Sequence, residues 1–93
     1  MHASIWKFAG NPVELLRHYD AMIEEIPRAR MRLHLCLRAD GIALVDICPT
    51  KDDFESFADG DDFRAQRERH GFPEPQRLED FPVHRVFIDG QEA

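Results

Sequence analysis

Apolar and polar residues alternate most regularly along Met31 to Cys48, MRLHLCLRADGIALVDIC. Leu33, Leu35 and Leu37 alternate with Arg32, His34, Cys36 and Arg38, the period of a β-strand. After Ala39-Asp40-Gly41, Ala43, Val45 and Ile47 alternate with Ile42, Leu44, Asp46 and Cys48. The pattern predicts a hairpin with a three-residue loop and Gly41 in a left-handed position. That register sets Leu37 against Ala43, Leu35 against Val45 and Leu33 against Ile47, so one face is wholly apolar. The other face carries His34 opposite Asp46, flanked by Cys36 and Leu44. A two-residue turn at Asp40-Gly41 would mix the faces, and burial of a single face selects against it.

The rest of the chain takes its elements from the same logic. His2 to Phe8 is a first strand, with Ala3 and Ile5 on one side and Ser4, Trp6 and Phe8 on the other. In Asn11-Pro12-Val13-Glu14, Asn caps a helix, Pro takes its first position and Glu can reach back. Val13, Leu16, Tyr19, Ile23 and Ile26 form its apolar stripe, widened by Leu15 and Met22, and Pro27 closes it. Thr50 with Asp53 starts a second helix with Phe54, Phe57 and Ala58 on its stripe. A break is expected near Asp59-Gly60, with Asp61 capping a further piece through His70 and Phe63 on a different surface from Phe54 and Phe57. Gly71 suits the position after that helix. Phe72 to Phe81 shows no clear period and reads as a loop, either a lid or arm or a plain surface crossing. Pro82 opens a last strand, Val83 to Ile88, Asp89-Gly90 ends it, and Gln91-Glu92-Ala93 is a tail.

The resulting order, β-α-β-β-α-β, predicts an α+β fold. It is a ferredoxin-like, four-stranded antiparallel sheet with the helices on one face. The helix side is expected to take Ala3, Ile5, Leu33, Leu35, Leu37, Ala43, Val45, Ile47, Val86 and Ile88. The open side would then expose Trp6, Phe8, Leu44 and Phe87 beside His34, Asp46 and Arg85. Such an apolar patch is larger than a monomer usually leaves wet. It predicts a homodimer through the sheet face bearing Trp6 and Phe87, enclosing a small cavity.

With 93 residues, one domain spanning 1–93 is expected, and its core is thin enough for association to help. The formal charge is −6 and the pI about 5.2, with basic residues scattered among acids. That argues against nucleic acid as a partner. No apolar run is long enough to span a bilayer and the N-terminus lacks a signal-peptide core, so no membrane partner and a cytoplasmic location are expected. Cys36 and Cys48 lie too far apart in the hairpin, roughly 13 Å at about 3.4 Å per residue, for a disulfide.

The strand MHASIWKF, the cap NPVE, the hairpin MRLHLCLRADGIALVDICP, the helical stretch TKDDFESFADGDDFRAQRERHG and the closing PVHRVFI together resemble a dimeric α+β barrel protein. That superfamily includes antibiotic-biosynthesis monooxygenase-like proteins, stress-responsive A/B barrel proteins, muconolactone isomerases and haem-degrading monooxygenases. The resemblance covers nearly the whole chain but lies in element order and pattern, and it transfers no catalytic residue. It implies a homodimer and a cavity between sheet and helices.

His34 and Asp46 are the candidate catalytic pair. A carboxylate beside an imidazole fixes which nitrogen carries the proton and suits the ring to act as a general base. The bland alternative is a structural polar pair satisfied across the dimer interface. Trp6, Cys36, Arg85 and Phe87 are candidate ligand contacts. Trp6 with Phe8 would make an aromatic wall, and Arg85 would hold an anionic group or neutralise Asp46. No metal is expected, because the five histidines show no HxH or HxxxH spacing and no CxxC occurs. No phosphate loop or nucleophile elbow is present, so no cofactor is indicated. Two functions follow. One is a cofactor-independent monooxygenase or isomerase acting on a small aromatic or hydrophobic molecule. The other is a non-catalytic ligand-binding or dimerisation module.

Overall fold

The computed structural model describes residues 1–93, the side chain of Arg30 excepted. Four strands, β1 (His2–Phe8), β2 (Leu33–Ala39), β3 (Gly41–Cys48) and β4 (Arg77–Pro82), form one antiparallel sheet in the order β2-β3-β1-β4. Three helices, α1 (Pro12–Ile23), α2 (Lys51–Ala58) and α3 (Asp61–Arg69), supply the residues that cover one face. The arrangement is α+β and compatible with a ferredoxin-like fold.

The hairpin adopts the expected register, with His34 opposite Asp46 and Leu35 opposite Val45. Gly41 has φ +106, and a Cβ there would lie 2.1 Å from the Phe8 carbonyl oxygen. Glycine is required at this position by both the backbone angle and the close approach of β1.

The helix starts also form as the sequence predicts. The Asn11 side chain accepts from the amides of Val13 and Glu14, and Thr50 Oγ1 accepts from Asp53. Helix α1 stops at Ile23, short of Ile26, because Pro27 disfavours helical backbone at the residue before it. Its buried stripe is Leu15, Tyr19 and Met22, and Val13 is exposed. Helix α3 ends in a Schellman turn: Gly71 has φ +66, and the amides of Phe72 and Gly71 bond to the carbonyls of Arg67 and Glu68. The chain breaks where expected, between Ala58 and Asp61, but Gly60 occupies the cap position instead of Asp61. The break also returns Phe63 to the Phe54 and Phe57 cluster instead of diverting it. Its ring lies 4.5 Å from Phe57 and 5.4 Å from Trp6.

Two expectations are corrected. First, the faces of the sheet are inverted. The helices cover Trp6, Phe8, Ile42 and Leu44, and Trp6 is only 4% exposed. The leucine face of the hairpin lies outside, with Leu35 and Leu37 each 47% exposed. The reason is bulk: β1 is central, and its large side chains lie on the Trp6 side, while the other side carries Lys7. Second, the edge strand is Arg77–Pro82, all but Pro82 inside the stretch expected to be a loop. It pairs with β1 through Ser4–Asp80 and Trp6–Leu78. Val83–Ile88 does not join the four-stranded sheet. Phe87–Ile88 (β5) pairs with Gln91–Glu92 (β6), part of the expected tail, in a separate hairpin. Asp89 and Gly90 at its turn both have positive φ, as a type I′ turn requires.

Candidate functional site

The inverted faces place the polar side chains of the hairpin under the helices. His34 of β2 and Asp46 of β3 are lateral neighbours, and Nδ1 of His34 lies 2.5 Å from Oδ1 of Asp46. Helix α1 lays Tyr19 over them, with its hydroxyl 2.6 Å from Nε2 of His34 and the two rings within 3° of parallel. The carboxylate only accepts, so Nδ1–H donates to it. In the neutral ring Nε2 is then an acceptor, and Tyr19 O–H donates to it. The three side chains form one directed line of hydrogen bonds.

Tyr19 is 7% exposed. Burial, reinforced by Asp46 and Asp20 nearby and by Cys36 once its thiol ionises, pushes its hydroxyl up to about 12. Burial also raises both thiols, Cys36 with help from Asp20 and Cys48 with help from Asp46 and Asp53, which keeps them protonated and poor nucleophiles.

The line opens onto a cleft of about 870 Å³ between α1 on one side and α2 with α3 on the other. Ser4, Trp6, Leu44 and Asp46 are sheet residues on its floor, and Phe54, Phe57 and Phe63 stand on the α2–α3 wall. Ser4 adjoins Asp46 on β3 and Asp80 on β4, so a polar row crosses the sheet beneath the helices. His2, buried beside Phe54, bonds Asp80 at 2.5 Å. Ser4 Oγ accepts from Trp6 Nε1 at 2.9 Å, which fixes the indole. Glu25 at the end of α1 accepts from Arg69 and His70 at the end of α3 and clasps the two walls together. Those hydrogen bonds hold the Glu25 carboxyl below the usual range.

The structure therefore brings His34, Asp46 and Trp6 to one cleft, with Cys36 packed against the adjoining core. Arg85 and Phe87 lie elsewhere, on and beside the C-terminal hairpin. Arg85 donates to Glu92 at 2.7 Å and covers the Phe87 ring, so it neither binds in the cleft nor neutralises Asp46. Sequence reasoning missed Tyr19 and Ser4. The signal for Tyr19 was its hydroxyl within an aliphatic stripe, since a buried tyrosine needs a hydrogen-bond partner. Among the described residues, no group of three or more His, Cys, Asp or Glu could hold a metal ion, and no helix is long and apolar enough to cross a membrane. Comparison with protein-family models, curated proteins and solved structures found no match.

Proposed function

We propose that the cleft binds a small, largely apolar aromatic molecule and that Tyr19, backed by His34 and Asp46, moves a proton on it. The supporting observation is the directed line of hydrogen bonds ending at the cleft. Both nitrogens of His34 are engaged, so the imidazole acts through Tyr19. Free ionisation of a hydroxyl near 12 would cost on the order of 7 kcal/mol at neutral pH. The transfer is therefore concerted: Tyr19 takes a proton from the ligand as it passes its own to Nε2, and Asp46 stabilises the imidazolium. Return of the proton at another atom completes an isomerisation. A cofactor-independent monooxygenase would share the first half, with dioxygen as co-reactant. A non-catalytic binding module is the alternative, and the high pKa of Tyr19 is the observation on its side.

The same reading includes a homodimer of the dimeric α+β barrel type, but not through the expected face bearing Trp6 and Phe87, since the helices cover Trp6 and Phe87 lies on the separate hairpin. Its supporting feature is the outer sheet face, where Leu35, Leu37 and Phe81 are exposed beside Ile5, Val45 and Ile47. Pairing there leaves the cleft, on the opposite face, open to a ligand.

The test is solvent exchange at an enolisable α-aryl ketone, phenylacetone, followed by proton NMR in deuterated water. The protein should accelerate loss of the α-proton signal, and Tyr19→Phe should reduce the acceleration by about 100-fold or more. Binding without accelerated exchange would overturn catalysis and leave the binding module.

A further inference from the structure

One side of the cleft is neither α-helix nor sheet. Residues 25–31 run from the end of α1 to the start of β2, and Ile26, Pro27, Ala29 and Met31 of this strap line the cleft. Its backbone hydrogen bonds are local. Glu25 and Ile26 donate to the carbonyls of Met22 and Ile23, and Met31 donates to that of Arg28. The Arg28 side chain reaches back to Glu24. Among the described side chains, the one polar tie from the strap to another element is Glu25. A single oxygen, Oε2, accepts from Arg69 at 2.9 Å and from His70 at 2.6 Å. A segment bonded mainly to itself opens at low cost once such a tie weakens.

The two donors respond differently to pH. Arginine stays charged throughout, whereas histidine is the side chain that changes charge between pH 5 and 8. Glu25 remains ionised over that range, because the bonds from Arg69 and His70 hold its carboxyl below the usual range. Protonated His70 makes a charge-assisted bond to Glu25, and the neutral ring makes a weaker one. Two cations oppose a charge on His70. Arg69 precedes it in the chain and shares its acceptor, and His18 of α1, when protonated, lies beside Gly71. Glu25 is the carboxylate that favours it. The His70 side chain is 19% exposed and that of Glu25 39%, so solvent screens the pair in part.

We propose that residues 25–31 form a pH-sensitive lid on the cleft, held closed by the bond between Glu25 and His70 and loosened when His70 loses its charge. The lid controls entry, so it does not depend on which molecule the cleft takes or on what happens to that molecule inside. Trp6 reports on it. It is the single tryptophan, it is almost wholly buried, and it lies on the cleft floor, so a small neutral quencher reaches it through the cleft.

The test is acrylamide quenching of Trp6, followed by fluorescence lifetime at pH 5.5 and pH 8. The quenching rate constant should be about two- to fivefold larger at pH 8, the effect of one partly screened ion pair. Glu25→Gln and His70→Gln should each abolish this step and leave the rate near the wild-type value at pH 8. Circular dichroism at both pH values checks that each variant is folded. The two substitutions lie on different elements, so either one decides the matter if the other fails to fold. A wild-type rate that is the same at both pH values overturns the lid. So does a step that persists in either folded variant, since it would then belong to another titrating group of the cleft, such as His34.

Discussion

Tyr19 shows how one residue ties stability to chemistry. It is the only tyrosine in the chain, so tyrosinate absorbance in the near ultraviolet reports on it alone. Burial first, and negative neighbours second, favour its neutral form. A group whose folded pKa is raised contributes stability that is fully present below the unfolded value. Here that value is near 10, and the contribution is lost as pH rises through about 12. The loss across that window should be roughly 3 kcal/mol. Folded protein should therefore ionise near the upper value and urea-unfolded protein near the lower one. Tyr19→Phe should flatten the fall in stability over the same range. Ionisation of the folded protein near 10 would show that the hydroxyl is neither buried nor held. The residue was legible only in part: its spacing placed it on the apolar stripe, and its hydroxyl marked it as needing a partner. Which partner depends on the rotation of α1 over the sheet, which helical spacing alone does not specify.

The elements differ in how far their residues announce them. The hairpin was legible to the register, because alternation, Gly41 and single-face burial all agree. So were the caps at Asn11 and Thr50 and the break before Asp61. The choice of buried face was misread because β3 is apolar on both sides and the leucines of β2 outweigh His34 and Cys36 locally. Lys7 was the informative residue: it shares the Ala3–Ile5 side of the central strand, and a lysine is rarely buried without a partner. The edge strand Arg77–Pro82 was hidden for another reason. Its exposed flank needs no apolar side chains, so RLEDFP carries no strong period, whereas Val83–Ile88 alternates without joining the sheet. The correct His34–Asp46 pairing survived the inversion, since register and facing are separate properties.

At the scale of the whole molecule, the fold has two apolar faces and three helices to cover one of them. The uncovered face, with Phe81 half-exposed beside Leu35 and Leu37, motivates the proposed dimer. A stable interface would bury upwards of about 1,000 Å² in total. Light scattering at micromolar concentration should give a dimer, and Leu35→Arg should convert it to a monomer that retains the cleft. A wild-type monomer would contradict the proposal. The covered face does what local sequence does not: it gathers Tyr19 of α1, His34 of β2 and Asp46 of β3 into one line. The direction of that line is the central claim, and nitrogen NMR of the His34 ring above neutral pH tests it most directly. Nδ1 should carry the proton and Nε2 should be the acceptor, with the Nε2 resonance moving when Tyr19→Phe removes its donor. A proton on Nε2 of the neutral ring, or a resonance indifferent to Tyr19→Phe, would contradict the account.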